Sequence, residues 1–202
     1  MEYLEQEIKF YIEDLDRLIA RAQATGADLI RPRVLERNLR LDTPEGDFLR
    51  DSRVLRIRQD DGVRVTYKDN AHNENGMVVR TEIEFSTDNL EVTRKFFEAL
   101  GYQVIVIYEK YRQVYDLDGV SVTLDEMPYG DFVEIEGPDT EGIRKVNNLL
   151  ELDWDARIME SYVVLFNRIN RELALGLRDL IFENFTGVDV SLEALNLKPA
   201  DL

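Results

Sequence analysis

Residues 4–10 read LEQEIKF, and the fold turns on how their charges are spaced. Glu5, Glu7 and Lys9 alternate with other residues. In a strand, side chains two apart share a face, so two carboxylates and an ammonium would stand in one row. A single such row is usually the solvated face of an edge strand. The same spacing recurs along the chain. Arg56 and Arg58 share a face in LRIRQ, and Arg64, Thr66 and Lys68 share one in RVTYK. Arg80, Glu82 and Glu84 alternate in RTEIEF, Lys110 and Arg112 in KYRQ, and Glu134 and Glu136 in EIE. The intervening residues (Ile8, Ile57, Val65, Ile83, Ile135) are apolar. Six rows in one phase predict a closed or strongly curved sheet that packs its apolar face outward against helices and keeps a charged lumen, the inverse of a small barrel filled with hydrophobic side chains. The alternative is an ordinary sheet with cross-strand salt bridges on its wet face.

Around these strands the chain reads as α+β. Helical spacing marks 13–27, with Gly26 as its stop, and strands follow from about 33 to 85. DDG at 60–62 is a hairpin signal, and NAHNENG at 70–76 reads as a longer connection. A helix capped at Ser86, Thr87 or Asp88 ends at Gly101. Strands return over 102–117, 120–127 and 131–137, with turns at Asp118-Gly119 and Pro128-Tyr129-Gly130. After Pro138 the chain reads as helical, RDLIFENF at 178–185 included. The pattern predicts a mostly antiparallel sheet of about eight strands with helices inserted and appended.

Composition narrows the chemistry. The 202 residues suit one domain and carry 25 basic and 41 acidic residues, for a net charge of −16. That balance argues against nucleic acid as a partner, whose binders are basic. There is no cysteine, and His72 is the only histidine. Thiolate chemistry and zinc–sulfur or multi-histidine sites are therefore excluded, and any metal must take oxygen ligands, as Mg²⁺ or Mn²⁺ does. No apolar run is long enough to span a bilayer, and no signal peptide is apparent, so a cytoplasmic protein without a membrane partner is expected. Lumen arginines and lysines would neutralise a polyanion, with guanidinium forks suited to phosphate oxygens. Carboxylates on the first and last strands would hold a divalent cation that the phosphates also ligate.

The motifs EQEIK, NLRLDTP, LRIR, VTYK, RTEIEF, EKYRQVY, LDEMPYGDFVEIEG and SYVVL, in that order, resemble the CYTH superfamily, the triphosphate tunnel metalloenzymes, over about residues 2–165. Class IV adenylyl cyclases, thiamine triphosphatases and inorganic triphosphatases belong to it. The resemblance implies an eight-stranded antiparallel β-tunnel with peripheral helices, over residues 1–170, followed by a helical C-terminal extension, 171–202, packed on the same domain. It implies Glu5, Glu7, Glu134 and Glu136 as metal ligands, with Glu82 and Glu84 lining the tunnel. Asp125 would be either a ligand or the salt-bridge partner of a lumen arginine. Lys9, Arg56, Arg58, Lys68, Arg80, Lys110 and Arg112 would cradle phosphates, with Lys9 or Lys110 as a general base. Arg40 stands where relatives often have an aromatic residue, and its parity points it inward. A His-Phe pair often precedes the ExExK strand in the cyclases and is missing here. Trp154 lies outside the strand motifs and reads as a packing residue of the helical appendage, so thiamine triphosphate is not favoured. The expectation is a Mg²⁺- or Mn²⁺-dependent hydrolase of an inorganic or small organic triphosphate. An adenylyl cyclase and a non-catalytic polyphosphate or nucleotide binder are the alternatives, as a monomer or a homodimer.

Overall fold

A computed structural model describes residues 2–74 and 77–201, with side chains over 6–72 and 79–201. Eight antiparallel strands close into a ring: β1 (Glu2–Ile12), β2 (Asp28–Asp42), β3 (Val54–Gln59), β4 (Val63–Glu74), β5 (Met77–Thr87), β6 (Gln103–Leu117), β7 (Val120–Met127) and β8 (Gly130–Gly137). Their order around the ring is β1-β5-β4-β3-β2-β6-β7-β8, with β8 pairing back onto β1. The helices are α1 (Leu15–Ala24), α2 (Asp47–Arg50), α3 (Leu90–Ala99), α4 (Thr140–Leu149), α5 (Tyr162–Glu172) and α6 (Leu192–Leu195).

The apolar residues of the strands face outward, and that inversion decides where the core lies. Ile8, Phe10 and Ile12 of β1, Val122 and Leu124 of β7, and Val133 and Ile135 of β8 pack against Leu18 and Ala22 of α1 and Ile143 and Val146 of α4. A second cluster covers the opposite wall, where Leu39, Leu41, Leu55, Ile57 and Val65 meet Phe48, Leu90, Phe97 and Tyr102. Helix α1 begins at Asp14, whose carboxylate accepts from the Arg17 amide, and stops before Gly26 at φ +91°. A positive φ costs glycine little, which is why the stop is legible in sequence.

Four elements depart from expectation. NAHNENG is largely strand, because Asn70, at φ +55°, absorbs a register shift between Asp69 and His72 and the ladder continues through Glu74↔Met77. Strand β5 runs on to Thr87, so α3 takes Asn89 as its cap, with the side chain accepting from the Val92 amide. The four-residue helix α2 was not foreseen; the buried Asp42 accepts the Phe48 and Leu49 amides at its start. RDLIFENF holds only a 3₁₀ turn, Phe182–Phe185. Before it, Leu180 pairs with β6, exchanging backbone hydrogen bonds with Ile107 and Glu109. Strand β7 pairs with β6 only from Tyr111 onward, which leaves that edge open for Leu180. Leu180, Phe185 and Leu195 then join Tyr108, Phe132, Leu165, Phe166 and Ile169 in a third apolar cluster. Among the described residues no helix is long and apolar enough to cross a membrane.

Candidate functional site: a charged lumen

The ring encloses a cavity of about 390 Å³. Its wall includes Glu7, Lys9, Arg40, Arg56, Arg58, Lys68, Arg80, Glu82, Glu84, Lys110, Arg112, Glu134 and Glu136. These are the residues whose period-two spacing placed them on one face, brought together from seven strands. Glu5 is in β1, in register with Arg80, but its side chain lies outside the described residues. Asp125 lies behind the lumen surface, fully buried.

Register explains the local pairings. Lys9 is opposite Glu134, and Glu7 is opposite Glu136 across β1 and β8. Lys9 Nζ lies 3.3 Å from Glu134 Oε1 and donates to the Glu160 carbonyl at 3.3 Å. Arg80 is bonded to Glu7, and Lys68 Nζ is 2.6 Å from Glu82 Oε2. Arg58 is shared among Glu84 at 3.5 Å, Glu36 at 3.6 Å and Asp60 at 3.7 Å.

Two buried carboxylates organise the cations from behind. Asp125 accepts from Lys110 Nζ at 2.9 Å, from Arg112 Nε at 2.6 Å and Nη2 at 2.5 Å, and from the Tyr162 hydroxyl at 2.9 Å. Glu36 lies 3.6 Å from Lys110 and 4.0 Å from Arg112, and its Oε1 accepts from Asn38 at 3.0 Å. Burial alone would push the Glu36 carboxyl up, but Lys110, Arg112, Arg58 and Arg56 outweigh it and hold the group well below the usual carboxylate range. Glu134 is likewise opposed by burial and held low by Lys9, Arg112, Lys110 and Lys68. The lumen carboxylates Glu36 and Glu134 are thus ionised at neutral pH, each because cations surround it.

Three participants escaped the sequence reading. Glu36 shares the parity of Arg40 on β2, and Tyr108 shares that of Lys110 on β6, so extending each row by one or two steps finds them. Tyr162 has no periodic signal. It opens α5, where Ser161 caps the helix, and that helix start lies against the lumen. Its ring lies beneath Lys9, 4.2 Å from Nζ to the centroid, and 5.1 Å from Lys110 Nζ. Tyr108 donates no charge, but its hydroxyl accepts from Arg56 at 3.4 Å. Burial opposes ionisation of Tyr108, yet Arg56 and Lys110 hold its hydroxyl below the usual tyrosine range.

The donor set suits a hard divalent cation. Glu7, Glu134 and Glu136 offer carboxylate oxygens to one cavity. Mg²⁺ commonly takes only one or two carboxylates, with phosphate oxygens and water completing the shell. Among the described residues no three acidic or histidine side chains gather closely enough to hold an ion unaided. A cation here would therefore need ligand oxygens from what the arginines bind.

Comparison with known proteins agrees with this geometry. The CYTH domain model matches residues 4–158. A Methanocaldococcus jannaschii protein provisionally named an adenylate cyclase is 25% identical over 169 residues, covering 83% of this chain and 90% of its own length. A Vibrio parahaemolyticus structure, also provisionally named an adenylate cyclase, superposes with a TM-score of 0.71 at 18% identity, over 81% of this chain and 98% of that one. A Hippeastrum protein provisionally named an adenylyl cyclase and described as having a dominant triphosphatase activity superposes with a TM-score of 0.63 at 20% identity, over 81% of this chain and 95% of that one.

Proposed function

The chain belongs to the CYTH domain family, and from that premise we propose that it is a divalent-metal-dependent phosphohydrolase acting on a triphosphate bound in its tunnel. The observation that carries this reading is the lumen itself: arginines, lysines and carboxylates converge on one cavity of about 390 Å³, on a chain whose net charge is −16. An anion finds there a cluster of guanidinium and ammonium donors that the acidic exterior of the chain does not offer.

Lys9, Arg40, Arg56, Arg58, Lys68, Arg80, Lys110 and Arg112 bind phosphoryl oxygens. The guanidinium groups stabilise the charge that spreads over the transferring phosphoryl group. Glu7, Glu134, Glu136 and Glu5 hold Mg²⁺ or Mn²⁺, which supplies charge neutralisation and polarisation of the phosphoryl oxygens. Glu82 and Glu84 tether Lys68 and Arg58. Asp125 serves as the salt-bridge anchor of Lys110 and Arg112, since four donors already fill its two oxygens. Water attacks the terminal phosphorus, the bond to the bridging oxygen breaks, and orthophosphate leaves. The proton released passes to a phosphoryl oxygen or to bulk water; Lys9 and Lys110, the candidate bases by position, would take it only as neutral amines.

A second reading, an adenylyl cyclase making cyclic AMP and pyrophosphate from ATP, draws on the provisional names of the relatives. A product assay with tripolyphosphate, ATP and thiamine triphosphate, each with Mg²⁺ or Mn²⁺, separates the readings. Orthophosphate release supports the hydrolase, and cyclic AMP with pyrophosphate supports the cyclase. Tight binding without turnover of any of the three would leave a polyphosphate or nucleotide receptor.

A further inference from the structure

Helix α3, on the outside of the ring, has two unlike flanks. On one, Arg94 is bonded to Glu91 and Glu98 beside a groove floored by Leu39 and Ile107. The other flank faces β5. The hydroxyls of Thr93 and Thr87 lie 2.8 Å apart and tie the first turn of the helix to the end of that strand. Phe97, Tyr102, Phe48 and Tyr67 form one chain of ring contacts, and Tyr67 is the register partner of Ile83. The helix therefore runs back along the wall beside β5. On that side Ile83 and Phe85 share the strand face of Thr87, and Val92, Phe96 and Leu100 form a row with a four-residue spacing along the helix. Ile83, Phe85, Val92, Phe96 and Leu100 are 42, 52, 65, 61 and 60% exposed.

This face is nearly free of charge on a chain in which 33% of residues are charged. Thr81, Thr87 and Ala99 complete it, and Lys95 is the one charged residue among these positions. Aromatic side chains with charge depleted around them mark the core of a protein interface. A full aromatic side chain buries about 150–250 Å², so five large residues about half exposed offer on the order of 500 Å². With its border that approaches the roughly 800 Å² per partner of a standard interface. An isologous contact needs a patch that complements itself. At a net charge of −16, two copies repel over most of their surface, and a charge-free face is where they can meet without burying like charges. Anionic lipid headgroups would repel the same chain.

We infer that this face binds a second copy of the chain, with α3 packed antiparallel to α3 across a two-fold axis. Phe96 then meets its own copy near the axis, and Val92 of each copy meets Leu100 of the other. The test is sedimentation velocity over a concentration series, with far-ultraviolet circular dichroism of every variant as the control for folding. Wild type should dimerise with a dissociation constant below about 100 µM. Raising salt from about 50 mM to about 0.5 M should tighten the dimer about threefold or more, because it screens the repulsion between acidic copies. Phe96→Glu should weaken it about 100-fold or more, with an unchanged dichroism spectrum because the side chain is exposed. Val92→Lys and Leu100→Glu should each be monomeric alone, and an equimolar mixture of the two should dimerise again through the Lys–Glu pair that the antiparallel seam creates. A monomeric wild type would overturn the inference and leave the face to a different protein. A dimer that salt loosens, a dimer that Phe96→Glu leaves intact, or a mixture that stays monomeric would overturn it as well.

Discussion

Asp125→Asn separates an anchoring carboxylate from a metal-binding one. Asp125 is 0% exposed and receives four donors, two of them from Arg112 and one from Lys110. The amide keeps the shape and one acceptor oxygen, but it removes the charge and turns an NH₂ group toward cationic donors. Breaking a buried ion pair by deleting one partner costs roughly 3–5 kcal/mol. Here Glu36 remains 3.6 Å from Lys110 and Glu134 remains 2.7 Å from Arg112, which argues for the lower end, about 3 kcal/mol. For a chain of this size each kcal/mol moves Tm by roughly 2–4 °C, so the variant should melt about 6–12 °C below wild type. The assay is thermal unfolding in EDTA followed by circular dichroism, repeated with tripolyphosphate. The anion should restore more stability to the variant than to wild type, because it replaces the missing negative charge. An unchanged Tm in EDTA, with stabilisation by Mg²⁺ abolished, would refute the anchoring role and make Asp125 a metal ligand.

Three further outcomes are expected. Glu7→Gln and Glu136→Gln should each lower metal-dependent turnover by about 100-fold or more while leaving the far-ultraviolet circular dichroism unchanged; full activity in both would sink their assignment as ligands. Burial and the neighbouring Glu126 raise the Asp131 carboxyl to about 6, above the roughly 3.9 of an unfolded chain. The folded state therefore holds the proton longer, and the native state loses stability as pH rises from about 4 to 6. Asp131→Asn should thus stabilise by about 1 kcal/mol at pH 8, after discounting for partial solvent screening, and by almost nothing at pH 4; a pH-independent difference would contradict this. Leu180 is fully buried on β6, so Leu180→Ala should cost about 3 kcal/mol in one cooperative unfolding transition. A separate early transition would mean that the C-terminal extension unfolds independently.

The division between what was readable and what was not follows the range of the interactions. Strand direction is set within two residues, because successive side chains leave a pleated backbone on opposite sides. The charged rows of β1, β3, β4, β5, β6 and β8 therefore announced a lumen before any coordinates, and chain stops such as Gly26 needed only a local φ. Edges and caps were misplaced where tertiary pairing overrode local preference. Strand β5 ran through the expected cap residues to Thr87, and Leu180 left a helix-like segment to fill the open edge of β6.

Within the lumen, sequence parity could say that Arg40, Lys110 and Glu134 face inward, but not which cations a carboxylate would already hold. That depends on register between strands far apart in the chain and on Glu36, Asp125 and Tyr162 arriving from β2, β7 and the start of α5. An alternating row of charge is a property of one strand. Whether a charge in it is free to bind depends on the closed ring, because its partners come from other strands.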